Sequence, residues 1–231
     1  MAITTVGLDA DDTLWHSENL FRLTQQRFID LLSDVAEPSR LEQRLAEVEA
    51  RNLRLYGYGV KGFTLSMIET AMELTGGEPS GRVIAEILAA GREMLSEPVE
   101  PLPGVEVALA ALSERYRLVL ITKGDLLHQE QKLASSGLGD LFVAVEIVSE
   151  KDQATYARVF ARHGTGPDQA AMCGNSLRSD VLPALAAGAY AAHVPYAITW
   201  AHELADAPQD HPRFAELASI ADLPGWLERV G

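Results

Sequence analysis

The stretch Ile3-Thr4-Thr5-Val6-Gly7-Leu8-Asp9-Ala10-Asp11-Asp12-Thr13 decides how this chain is read. Its first half is apolar and predicts a strand over residues 4–8. Its second half sets three aspartates within five residues. Carboxylates this close repel, and one pKa rises unless a cation is near. The cluster therefore implies a divalent metal or a flexible, solvated turn. The apolar run favours the metal, because it puts the acids at the C-terminal edge of a buried strand. In open α/β sheets ligands bind at that edge.

Outward from this stretch the pattern becomes helical, from about Ser17 to Ser96. Phe28, Leu31, Leu32 and Val35 continue a stripe that starts with Leu20, Phe21 and Leu23. Pro38-Ser39 marks a break, and Leu41, Leu45, Val48 and Leu53 carry a second helix. The glycines of Tyr56-Gly57-Tyr58-Gly59 end it. Leu65 to Leu74 predict a third helix and Val83 to Leu95 a fourth. Pro98, Pro101 and Pro103 mark a linker.

Beyond the linker, helices and strands alternate. Helices are expected at 105–113, 126–135, 153–162 and 181–187, and strands at 118–121, 142–148, 170–173 and 189–194. This alternation implies a parallel sheet with helices on both faces. The tail from Pro208 reads as a loop and a short closing helix. An α/β core is thus interrupted, right after its first strand, by an all-helical insert.

The chain has 231 residues, 47% of them hydrophobic, enough for a sizeable core. Its formal net charge of −14 argues against nucleic acid or an anionic membrane as partner. An anionic substrate stays possible, since a metal and a few lysines can invert the local field. The single cysteine, Cys173, allows no intramolecular disulfide and reads as a buried strand residue. With no basic-then-apolar leader and no run long enough to span a bilayer, a soluble, cytoplasmic protein is expected.

Four polar features stand at the C-terminal ends of four predicted strands: Asp9 and Asp11; Thr122-Lys123-Gly124; Glu150-Lys151; and Gly174-Asn175-Ser176-Leu177-Arg178-Ser179-Asp180. In a parallel sheet those ends share one edge. Set and order resemble the haloacid dehalogenase-like (HAD) superfamily. Asp9-Ala10-Asp11-Asp12-Thr13 matches its D-x-D-x-T motif, Thr122 its strand-ending hydroxyl, Lys151 its lysine ahead of a helix, and Gly174 to Asp180 its acidic loop. Asn175 departs from that pattern by occupying the place of the usual first acid.

The resemblance implies a Rossmann-like core at 1–15 and 99–231 with a helical C1-type cap at 16–98. It implies a Mg²⁺-dependent phosphatase acting on a small soluble phosphate monoester. Asp9 would be the nucleophile, forming an aspartyl-phosphate. Asp11 would move the proton, its protonated form favoured by nearby Asp9. Asp9, the Asp11 carbonyl, Asp180 and Asn175 would hold the metal. Thr122 and the backbone N–H groups of Lys123 and Gly124 would bind phosphate oxygens, and Lys151 would offset charge at the nucleophile and phosphate.

In the dehalogenase branch the second position is not acidic, because a halide takes no proton; Asp11 therefore favours phosphoryl transfer. Asp12 and Thr13 are expected to serve the turn. Tyr56, Tyr58, Lys61 and Phe63 in the insert, and Trp15 and His16 at its entrance, are candidates for substrate contact. His193, Tyr196, Trp200 and His202 read as packing or surface. Rival readings are a phosphomutase using the same aspartyl-phosphate and a non-catalytic binding protein on the same fold. Monomer and homodimer are both open.

Overall fold

The computed structural model describes residues 2–231. They form two compact units, one of residues 2–18, Val99–Lys123 and Gln129–Gly231, the other of Asn19–Pro98 with Gly124–His128. Among the described residues, no helix is long and apolar enough to cross a membrane.

The first unit is built on a parallel sheet of six strands: β1 (Thr5–Leu8), β2 (Arg117–Thr122), β3 (Ala144–Ile147), β4 (Ala170–Gly174), β5 (Tyr190–His193) and β6 (Phe214–Glu216). Their order is β3-β2-β1-β4-β5-β6, and each neighbouring pair is parallel. β1 is central, with Val6 opposite Leu118 on one side and Ala171 on the other. Strand order reverses beside it, which in such sheets creates a crevice at the carboxyl ends of the strands.

Side chains alternate across the sheet and feed two cores. Val6, Leu8, Leu118, Leu120, Ala171 and Cys173 face one layer, with Leu109 and Leu227. Val119, Ile121, Ala170 and Met172 face the other, with Tyr156 and Phe160. Gly7 lies in β1 because a Cβ there would meet Ile121 Cδ1 and Met172 Sδ at 2.9 Å and Phe160 Cε1 at 3.1 Å. Cys173 is fully buried, as its surroundings in the sequence require.

The helices of this unit are α5 (Val105–Ser113), α7 (Gln153–His163), α8 (Leu182–Ala186) and α9 (Leu223–Val230), together with most of α6 (Leu126–Ser136). The expected helix at 181–187 is α8, one residue shorter at each end. A wide turn at Leu177–Val181 precedes the short α8, and Ser176 caps that turn by accepting from Ser179 N. The tail adds β6 ahead of its closing helix. Phe214–Glu216 is three residues long, too short for a period to be read from it.

The second unit contains α1 (Glu18–Leu31), α2 (Pro38–Tyr56), α3 (Val60–Leu74) and α4 (Gly81–Ser96). Its core draws on Phe28, Leu32, Leu41, Leu45, Phe63, Met67, Ile87 and Met94. The expected stripe on α1 is imperfect. Leu23 is exposed and Val35 lies beyond the helix end, also exposed. Gly57 and Gly59 stop α2 and turn the chain, with φ of 71° and 110°. Lys61 is paired with Asp125 in this unit, through its backbone N–H at 3.2 Å and its ammonium at 3.5 Å.

Candidate active site

Asp9 follows β1 directly, and its N–H continues the ladder by donating to Cys173 O at 3.0 Å. Its carboxylate is buried and accepts a hydrogen bond from Lys151 Nζ. Lys151 also donates to Asp180 Oδ1 at 2.6 Å. One ammonium thus serves two carboxylates brought from the ends of β1 and β4. Burial, with Asp180 near, pushes the Asp9 carboxyl up to about 7 against the pull of Lys151. Burial opposes the charge on Lys151, but Asp180 and Asp9 outweigh it and hold the ammonium protonated.

The other oxygen of Asp180 is fixed by Ser176 N–H at 3.0 Å. Tyr156, fully buried on α7, donates to Ser179 O at 2.9 Å and lies 3.5 Å from Asp180 Oδ1. Gly174 opens this loop because nothing larger fits. A Cβ there would stand 2.2 Å from Asp180 Oδ2.

Asp12 and Asp11 part in direction. Asp12 adopts a left-handed φ of 61° and turns its carboxylate to the N–H groups of Ser17 (2.8 Å) and Glu18 (3.0 Å), capping the start of α1. Burial raises its pKa to about 7 although those N–H groups favour the anion. Asp11 is held by three donors: Lys132 Nζ, Trp15 Nε1 at 2.8 Å and Gln129 Nε2 at 3.0 Å. Burial opposes its ionisation, yet Lys132, then Trp15 and Gln129, keep its carboxyl below the usual carboxylate value. The expectation of a protonated Asp11 is corrected here. Its nearest charge is the Lys132 ammonium, not Asp9.

Thr122 ends β2, buried. Its hydroxyl accepts from Gln129 Nε2 at 2.7 Å and donates to Lys123 O at 3.2 Å. The Lys123 side chain turns to Glu203 Oε1 at 2.6 Å and Ser179 Oγ at 3.0 Å. Gly124 follows with φ of 125°. Thr13 Oγ1 lies 3.5 Å from Asp9 Oδ2.

Asn175 reaches the same point. Its side-chain oxygen faces Asp9 Oδ2 at 3.1 Å, the Asp11 carbonyl at 3.2 Å and Thr13 Oγ1 at 3.2 Å. With the amide turned over, its nitrogen donates to all three. With oxygen inward, amide, carboxylate and carbonyl oxygens converge, a hard donor set of the kind that suits magnesium. Among the described residues, no three His, Cys, Asp or Glu side chains group to hold a metal. A cation here would rest on a mixed set: two carboxylates at most, a carbonyl and an amide.

Several residues of the cluster carried no signal in the sequence. Gln129 and Lys132 stand one turn apart on α6, so both can point back at Asp11, but no motif marks that spacing. His193, at the end of β5, is buried and lies 3.0 Å from Asn175 O and 3.2 Å from Glu216. It packs, as expected, yet against the loop that carries Asn175. Trp15 is buried with its indole on Asp11, whereas His16 is exposed and contacts Tyr196.

A model of haloacid dehalogenase-like hydrolases matches residues 3–188. A haloacid dehalogenase-like family hydrolase from Xanthomonas campestris is 46% identical, with a TM-score of 0.89 over 99% of this chain and 92% of that one. A putative HAD hydrolase from Bacillus subtilis, solved bound to magnesium, shares 14% identity at a TM-score of 0.68, covering 98% of this chain and 99% of that one. L-2-haloacid dehalogenase from Xanthobacter autotrophicus, with chloropropionic acid covalently bound, shares 18% at 0.66, covering 99% of this chain and 100% of that one. A comparison with curated protein sequences gave no match. The matched length and the 46% identity, on a sheet that brings Asp9, Lys151 and Asp180 together, make this chain a member of the haloacid dehalogenase-like hydrolase family.

Proposed function

We propose that this protein is a phosphatase that hydrolyses a small phosphate monoester through an aspartyl-phosphate on Asp9. The observation that carries the proposal is the Asp11 carboxylate, joined to Thr122 by one side chain, Gln129 (3.0 and 2.7 Å). A group that can move protons thus stands beside the hydroxyl proposed to bind phosphate. A departing alkoxide needs such a group and a departing halide does not.

In the first step an Asp9 oxygen attacks phosphorus and the ester P–O bond breaks, with the alkoxide taking a proton from the protonated fraction of Asp11, which Lys132 keeps small. In the second step Asp11 takes a proton from water, which attacks the aspartyl-phosphate and frees Asp9 and inorganic phosphate. Lys151 offsets charge on the nucleophile and on the equatorial oxygens. Thr122, with the N–H groups of Lys123 and Gly124, is the proposed phosphate cradle. Asp9, the Asp11 carbonyl, Asn175 and Asp180 are the proposed holders of Mg²⁺. When bound, that ion supplies positive charge against which an anionic nucleophile can approach an anionic ester.

The test measures phosphate release from p-nitrophenyl phosphate with Mg²⁺, and halide release from 2-chloropropionate in parallel. Wild type is expected to release phosphate only, and Asp9→Asn to lose at least about a thousandfold in rate, as loss of a nucleophile does. Halide release without phosphate release would overturn the proposal. Isomerised sugar phosphate without free phosphate would make the protein a mutase.

A further inference from the structure

The chain between β5 and β6 belongs to none of the four motifs, yet it ends in a carboxylate set among them. Glu203 closes a short turn at Ala201–Glu203. Its Oε1 accepts from Lys123 Nζ at 2.6 Å, and its Oε2 accepts from the hydroxyls of both Ser176 and Ser179. Lys123 closes the ring by donating to Ser179 Oγ at 3.0 Å. The next residue back is tied as well, with Arg178 Nη1 donating to His202 O at 3.1 Å.

This is not a surface ion pair. The side chains of Lys123 and Glu203 are 11% and 15% exposed. A pair buried to that degree roughly breaks even against desolvation, so its worth lies in the arrangement it enforces. Lys123 directly follows Thr122, at the end of β2. Ser176 directly follows Asn175, and its own N–H fixes Asp180. Ser176 Oγ accepts from Ser179 N at 2.9 Å, so its hydroxyl proton is left for Glu203. Glu203 is therefore one residue removed from Thr122, Asn175 and Asp180 at once.

We propose that Glu203 is a positioning residue for the reaction, registering the loop after β2 against the loop after β4. It touches neither the nucleophile nor the Thr122 hydroxyl and backbone N–H groups of the proposed phosphate cradle, and acts through the side chains of Lys123, Ser176 and Ser179. Removing it lets the phosphate-binding and metal-binding halves of the site drift apart. The proposal rests on the phosphatase reading for its effect on rate, but not for its effect on loop order.

The experiment compares wild type, Glu203→Gln, Glu203→Asp and Ser179→Ala on p-nitrophenyl phosphate with saturating Mg²⁺. Amide hydrogen exchange is followed over residues 122–125 and 174–180. In Glu203→Gln, kcat is expected to fall 10- to 100-fold, the range typical of supports behind a catalytic shell, with KM changed less than about threefold. Exchange should quicken in both loops and nowhere else. Glu203→Asp should recover part of kcat. If Glu203→Gln unfolds the protein, Ser179→Ala reads the same ring with one hydroxyl removed. It should quicken exchange in both loops, where a local role would affect only 174–180. Wild-type kcat and wild-type exchange in Glu203→Gln would overturn the proposal. A wild type that releases no phosphate, with both loops still loosened in Glu203→Gln, would instead sink the phosphatase reading and leave the clamp standing.

Discussion

Lys151 answers two carboxylates with one ammonium, and the shortfall is visible in Asp9. Its native pKa, about 7, lies above the ordinary 3.8. Below about pH 4 both native and unfolded states hold the proton. As pH rises to about 7 the native state must lose a proton it holds more tightly, so stability falls across that window and stays low above it. Asp9→Asn removes the titration. Without added metal it should therefore melt above wild type at pH 8, by on the order of a few kcal/mol at most, with the gap closing toward pH 5. A lower melting temperature at pH 8 would show that the Lys151 pairing outweighs burial. Asp11 runs the other way, held ionised by Lys132. Lys132→Met should raise its pKa by roughly 1–3 units. The protonated form then persists to higher pH, so the basic limb of kcat/KM for an alkyl phosphate should move up by a similar amount. An unmoved limb would mean that Asp11 does not supply the proton. Asp9, Asp11, Thr122, Lys151, Asn175 and Asp180 were legible in the sequence because each stands at a strand end or in the polar segment that follows one. Lys132, Gln129 and Glu203 were not, since they reach the cluster from helix and loop positions that have no period to betray them.

At the scale of elements, the acidic loop after β4 is the tightest piece of construction. Gly174 lets the chain pass within 2.2 Å, measured from an ideal Cβ, of an Asp180 oxygen already engaged by Ser176 N–H. Gly174→Ala should cost about 1–3 kcal/mol, the usual range for overpacking, and should lower activity more than its melting shift implies because Asp180 must move. Thermal melting and kcat on the same preparation check both parts. An unchanged kcat would separate Asp180 placement from function. Element types were readable wherever an apolar period ran for a full turn or more. The turn at Leu177–Val181 lies in the stretch read only as a polar loop; there Ser176 and Asp180 bind backbone and override propensity. Element reading failed at β6, whose three residues owe their strand to pairing with β5.

For the whole molecule, the sequence break after β1 is expected to be a break in cooperativity too. Each buried residue of the helical core lies between Phe28 and Met94. A fragment of residues 19–98 is expected to give a helical circular dichroism spectrum and one cooperative melt. A fragment of 99–231 lacks the central strand and should remain unfolded. A helical insert that melts without cooperativity would show that its order is borrowed from the rest of the chain. The order of the parts along the chain bears on their making. β1 leaves the ribosome before the other strands of its sheet, and its hydrogen-bonding neighbours begin only at Arg117 and Ala170. At about 5–20 residues per second, roughly 5–20 s pass before β2 can join it. For that interval Thr5–Leu8 is an unpaired apolar edge while the helices behind it are already free to fold. Asp9 and Asp11 are thus translated before Lys151 and Asp180, and acquire their geometry only after those two have been made.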